Sequence, residues 1–250
     1  MIIDIHAHLW AGSYNEDKIR IMKACETFQI NRVYISSLLS YYPDENEIGR
    51  LNDLTRGFMR EHPDMIGGFA YVDPRHGNKL DVIDRAIGGD GMEGVKLWVS
   101  VHCDDGRVNA VAERCIKYSV PILMHAFHKA IGQLEDESTA VNIRRIALRY
   151  PELRIIMAHL GGNAYHGMRC IYDLPNVYPD ISGTPSGRGD VEYALEQAGE
   201  DRILFGTDMP MGGRQCLGRI RDAAISEEQK QKILYKNALR VLGGKNADGL

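Results

Sequence analysis

Short apolar runs alternate with longer stretches of mixed polarity along almost the whole chain. The runs are Ile2–His6, Arg32–Ser36, Ile66–Val72, Gly94–Trp98, Val120–His125, Leu153–His159, Val177–Ser182 and Arg202–Asp208. Their β-branched, near-continuous hydrophobicity predicts strands of a parallel sheet covered on both faces. Helical spacing between them predicts helices at Glu16–Phe28, Glu45–Glu61, Leu80–Ile87, Val108–Tyr118, Ser138–Tyr150 and Asp190–Ala198. Within Val141–Leu148, apolar residues fall at i, i+2, i+5 and i+7 with arginines between, as on a one-sided helix. The stretch after Gly162 carries the weakest helical pattern. A last helix, Ser226–Leu242, opens on Ser226-Glu227-Glu228-Gln229, a capping-box sequence. The tail Lys245–Leu250 reads as loose.

Strand ends recur about every 30 residues, the size of one βα unit. Neither a Pro- or Ser-rich linker nor a close internal repeat interrupts the series. Eight such units predict an α/β fold of the (β/α)₈ TIM-barrel type, one domain over residues 1–250.

Charge and composition narrow the partners. Thirty Lys+Arg stand against 34 Asp+Glu, a net charge of -4. Such a chain offers phosphate no strongly basic face, so a small-molecule substrate is expected rather than nucleic acid. No apolar run reaches the 18 residues of a membrane span. Met1-Ile2-Ile3-Asp4 places a charge at once and lacks the pattern of a signal peptide. The five cysteines form no Cys-x-x-Cys pair, which suits reduced thiols and a cytoplasmic location. Barrel enzymes often pair, so a homodimer is compatible with this reading.

A barrel carries its active site at the C-terminal ends of its strands. The first strand ends in His6-Ala7-His8, and residues i and i+2 of an extended chain share a face. The fifth ends in His125, the sixth in His159 and the eighth in Asp208. A lone buried histidine is usually a satisfied core residue. Four histidines and an aspartate converging on one opening point instead to a metal site. Histidine nitrogens with one carboxylate suit one divalent metal, Zn²⁺ foremost, with Mn²⁺, Fe²⁺ or Co²⁺ as alternatives. Asp4, two residues before His6, is expected on the same face one layer deeper, either orienting a ligand or plugging the barrel.

Ile3-Asp4-Ile5-His6-Ala7-His8, Gly94-Val95-Lys96-Leu97, Met124-His125, Ala158-His159-Leu160-Gly161-Gly162 and Gly206-Thr207-Asp208-Met209-Pro210 follow one another in an order that resembles the amidohydrolase superfamily. Within it the chain is most similar to the "amidohydrolase 2" branch of metal-dependent TIM-barrel hydrolases and aminocarboxymuconate-semialdehyde-type decarboxylases. The resemblance runs over about residues 2–244. It implies that His6, His8, His125 and Asp208 are metal ligands. It implies that His159 and Asp208 are catalytic, His159 standing beside the metal rather than on it. Lys96 matches a lysine that bridges two metals in some members but is usually no bridge in this branch; otherwise it reads as a structural lysine paired with an acid.

The chemistry implied is attack of a metal-activated water on an amide, lactone or ester carbonyl of a small, carboxylated molecule. Nonoxidative decarboxylation of an unsaturated or aromatic acid is the alternative, since the same ligand set serves both. A catalytically silent, ligand-binding barrel is disfavoured by the complete set of expected ligands. Short loops favour hydrolysis, because they enclose little. They also predict an open pocket, or one closed by a partner subunit. Trp98 and His128 are expected to line it, and Arg75, Arg188 and Arg214 are candidates to clamp a substrate carboxylate.

Overall fold

The structure, a computed structural model, describes residues 1–183, 187–211 and 213–243, with backbone only at 213 and 214. The tail expected to be loose lies outside these residues, as does the Arg214 side chain. Seven parallel strands run in sequence order: β1 (Ile3–Trp10), β2 (Arg32–Leu38), β3 (Ile66–Tyr71), β4 (Gly94–Leu97), β5 (Ile122–Met124), β6 (Ile155–Met157) and β7 (Val177–Pro179). The helices between them are α1 (Tyr14–Phe28), α2 (Glu45–Glu61), α3 (Lys79–Gly88), α4 (Asn109–Tyr118), α5 (Ala140–Arg149) and α6 (Ala164–Ile171). After β7 come α7 (Asp190–Ala198) and α8 (Gly213–Asp222).

The eighth predicted strand is irregular. It is tied to its neighbours by the isolated bridges Asp180–Leu204 and Ala7–Met209. Ile5 N–H donates to Phe205 O and His8 N–H to Met209 O, so the segment closes the sheet between β7 and β1. The result is a TIM barrel whose last seam is held by single bridges. The C-terminal helix predicted from Ser226 forms as three abutting pieces, α9 (Glu227–Gln231), a π-helical turn (Lys232–Lys236) and α10 (Asn237–Val241). Its capping box is present, Ser226 Oγ accepting from Gln229 N–H and Gln229 Oε1 from Ser226 N–H.

One irregularity sets the site. The β1–β2 register shifts between Asp4 and Ala7, so β1 carries one residue more than β2 there, a β-bulge. Below it, Ile3 and Ile5 pack with Tyr34, Phe69, Leu123, Ile156 and Leu204, and with Ala238 and Val241 of α10. Above it, Ala7 and Leu9 join Val33 and Ile35 in the cluster between sheet and helices. The alternation therefore switches at the bulge, and His6 and His8 continue the face that Ile3 and Ile5 begin. Asp4 is thus not on the histidines' face, as a regular strand would have it. Its carboxylate instead accepts from Thr207 N–H, 3.0 Å, and from the Thr207 hydroxyl, stitching β1 to the segment that carries Asp208. Burial pushes the Asp4 carboxyl up to about 7 even against those hydrogen bonds.

Candidate metal and catalytic site

His6 and His8 turn their Nε2 atoms toward each other at 3.0 Å. His6 Nδ1 lies 2.9 Å from Asp180 Oδ2, and His8 Nδ1 lies 3.2 Å from the Ser36 carbonyl. A carboxylate and a carbonyl only accept, so each ring carries its proton on Nδ1 and presents a lone pair from Nε2. Asp208 Oδ1 completes the group, 3.3 Å from His8 Nε2 and 3.7 Å from His6 Nε2. Two facing lone pairs and a carboxylate repel one another unless a cation lies among them, and the Lys96 ammonium meets only the His6 nitrogen of the three, at 3.2 Å. The donor set therefore fits a divalent metal that takes imidazole nitrogen and carboxylate oxygen. Burial first, and then the positive charge of Lys96, holds both imidazoles well below their ordinary pKa, which keeps them in the ligating form. Burial raises the Asp208 carboxyl to about 6, with Lys96 opposing.

Lys96 is fully buried, and its Nζ stands 3.2 Å from His6 Nε2. Among the described residues it has no acid within ion-pair distance, so it is not the acid-paired structural lysine that sequence reasoning allows. Burial lowers it to about 8, while Asp208 and Asp180 pull upward from further away.

His159 stands on a left-handed turn, His159-Leu160-Gly161-Gly162, in which every φ is positive. Asp208 also has a positive φ, 59°. Non-glycine residues in this conformation cost about 1–2 kcal/mol each and persist where surrounding contacts enforce them. Asp180 supplies such a contact, accepting from His159 N–H at 3.1 Å. Glycines make the remaining room. A Cβ on Gly162 would meet His128 N at 2.6 Å, and one on Gly183 would meet His159 Nδ1 at 2.7 Å. His159 Nδ1 faces the Ser182 hydroxyl at 3.0 Å and carbonyl at 3.3 Å, so its proton is on that side and Nε2 is open. That open nitrogen lies 3.3 Å from His125 Nδ1. Burial lowers both His125 and His159 to about 4.

His125 is thus brought against His159, while the tight donor group contains His6, His8 and Asp208. Its other nitrogen, Nε2, lies 2.9 Å from Glu137 Oε1. A second close group joins His6 and His159 to Asp180, a residue that sequence reasoning passed over although it sits just past the end of β7. The rule that found the histidines, taken strand by strand, would have found Asp180 and Ser36 too. Glu137 sends no such signal, because it stands in the loop between β5 and α5.

A cavity of about 290 Å³ opens over the cluster. Trp10, Tyr41, Trp98 and Phe127 wall it, and Trp98 meets Tyr41 and Trp10 edge-on at 4.8 and 5.8 Å between ring centres. Trp98 lines it as expected. His128 does not: it stacks on His166 at 4.5 Å. Arg75 is engaged by both oxygens of Asp73 and by the Pro43 carbonyl. Arg188 lines a different cleft beside α7 and α8. The one cation on the described cavity wall is Lys129, which pairs with Glu137 at 2.7 Å.

Comparison with known proteins bears on the family and the fold. The family profile described as amidohydrolase matches residues 3–244. The 4-sulfomuconolactone hydrolase of Hydrogenophaga intermedia is 27% identical over 193 residues, 70% of this chain and 56% of that protein. The chain thus spans little over half the length of that relative. The fold is that of the 2,6-dihydroxybenzoate decarboxylase from Rhizobium, with a TM-score of 0.80 at 18% identity over 99% of both chains. A dihydroxybenzoic acid decarboxylase from Polaromonas, solved with bound manganese and 2-nitroresorcinol, superposes with a TM-score of 0.80 at 19% identity, covering 100% of this chain and 98% of the other.

Proposed function

Because the chain belongs to the amidohydrolase family, we propose that it is a metal-dependent hydrolase of an amide, lactone or ester carbonyl in a small carboxylated molecule. The observation that carries this reading is the facing pair of Nε2 lone pairs on His6 and His8, closed by Asp208. The proposed ligands are His6, His8, Asp208 and, through Nδ1, His125. Zn²⁺ is the metal we favour, with Mn²⁺, Fe²⁺ or Co²⁺ as alternatives. Bound there, the metal would supply a Lewis acid and a water acidic enough to ionise near neutral pH.

The protein's own groups do the rest. Asp208 brings a carboxylate to the site, where it can accept the proton of a bound water. His159 presents an open Nε2 toward the same space, where it can accept a proton released by the attacking water and pass that proton on to the leaving group. Its Nδ1–H is held by Ser182, so the ring cannot turn as the proton moves. Lys129 is placed to meet a substrate carboxylate. The open cavity suits a reaction that consumes water.

The aromatic walls favour one second reading, decarboxylation of an unsaturated or aromatic acid stacked among Trp10, Trp98 and Phe127. The two separate on products. The full-length protein, loaded with Zn²⁺ or Mn²⁺, is incubated with carboxylated lactones, esters and amides and with aromatic acids. Opening of the ester or amide bond without gas release is expected. Release of CO₂ with rings and amides intact would overturn the hydrolase reading. No helix among the described residues is long and apolar enough to cross a membrane. From the cysteine pattern we propose a cytoplasmic enzyme, and we propose a homodimer as its assembly.

A further inference from the structure

The loop between β5 and α5 buries an acid that the chemistry above does not use. Glu137 is only 3% exposed, although it lies in a loop beside the cavity. Four donors converge on its carboxylate. Oε1 receives His125 Nε2 at 2.9 Å and Lys129 Nζ at 2.8 Å; Oε2 receives Gln133 Nε2 at 2.9 Å and Leu134 N–H at 3.4 Å. A loop acid with no task beyond neutralising Lys129 would need none of the other three donors.

We propose that Glu137 is the positioning residue for His125, fixing it as the Nε2–H tautomer so that Nδ1 presents a lone pair to His159 and the metal-ligating cluster. An ionised carboxylate can only accept, so the His125 proton must sit on Nε2. The ring is then aimed from behind, as Asp180 aims His6 from behind Nδ1. All four site histidines are thereby held with their open nitrogens inward, two by the carboxylates of Asp180 and Glu137 and two by Ser36 and Ser182. Carboxylate partners of this kind orient metal-binding imidazoles and raise their basicity. The inference rests on the reading that His125 serves the metal site, yet its first readout is independent of any reaction.

The test is the ring ¹⁵N spectrum of the full-length protein with Zn²⁺ added, His125 being assigned by its loss in His125→Gln. The wild type should show His125 protonated at Nε2 and bare at Nδ1. A wild-type spectrum with the proton on Nδ1 overturns the proposal, whether or not any substrate is found and whether or not any variant folds. In Glu137→Gln the amide can also donate, so the Nδ1–H form should appear and Zn²⁺ affinity should fall roughly tenfold or more. Lys129→Met should leave the tautomer as in the wild type. If Lys129→Met shifts the tautomer as far as Glu137→Gln does, or if Glu137→Gln keeps both the native tautomer and native affinity, Glu137 serves only to close the loop. Loss of Zn²⁺ uptake in the wild type with the tautomer as stated would contradict the metal reading and leave the role of Glu137 standing.

Discussion

His6 Nδ1 and Asp180 Oδ2 lie 2.9 Å apart, both fully buried, at strand ends that are 174 residues apart in sequence. This contact decides which nitrogen of His6 faces the site. The same aspartate accepts, through Oδ1, from the backbone N–H groups of His159 and Ser182 and from the Ser182 hydroxyl. One carboxylate thus orients one candidate ligand and anchors the turn that presents the candidate proton carrier.

Asp180→Asn should therefore act on metal affinity more than on the fold. The amide oxygen can keep the three hydrogen bonds at Oδ1, while the NH₂ group would now face His6 Nδ1. That leaves the Ser182 hydroxyl, 2.9 Å away, as the one acceptor among the described residues for a proton on His6 Nδ1 and shifts the ring toward the Nε2–H form, where the metal would bind. We expect affinity to fall about 10–100-fold, read by metal titration, with the circular-dichroism spectrum unchanged. Native affinity in the folded variant would mean that Asp180 does not set the tautomer.

His159→Asn separates a proton carrier from a ligand. The variant should keep its metal content and lose about 10²–10⁴-fold in turnover, read by metal analysis and kcat on the same sample. Loss of the metal would instead make His159 a ligand.

Gly183→Ala tests the crowding behind His159. Its φ of +75° disfavours any side chain, and the new Cβ would stand 2.7 Å from His159 Nδ1. The backbone conformation alone should cost about 1–2 kcal/mol, a fall of a few °C in Tm for a chain of this size. Turnover should drop further than that loss of stability explains, because His159 is displaced, while metal uptake stays near native.

Much of this was legible in the residues. Seven of the eight predicted strands form at the expected places, since continuous β-branched runs have few alternatives. Arg202–Asp208 is tied in only by a bridge at Leu204 and another at Met209 just beyond it, and its last residue, Asp208, takes the left-handed conformation. Helix α8 was unreadable: its apolar positions, Cys216, Leu217 and Ile220, are thin among glycines and charges. His6, His8, His159 and Asp208 were placed at the mouth by strand ends alone. Asp4 was misplaced because a bulge breaks the alternation on which its assignment relied. Arg75 could not be seen to be engaged, for Asp73 satisfies it only once the loop is folded. Glu137 and Lys129 meet His125 through a loop whose path no local pattern encodes.

The central claim is that His6, His8 and Asp208 form a metal site. It is tested most directly by the uptake of Zn²⁺ and Mn²⁺ by the chelator-treated full-length protein, measured beside the double variant His6→Ala with His8→Ala. The wild type should take up a divalent ion tightly, gaining about 2.7 kcal/mol in stability at a free metal concentration 100 times Kd, and the variant should lose both uptake and stabilisation. No tight uptake by the wild type, or equal uptake by a folded double variant, would contradict it.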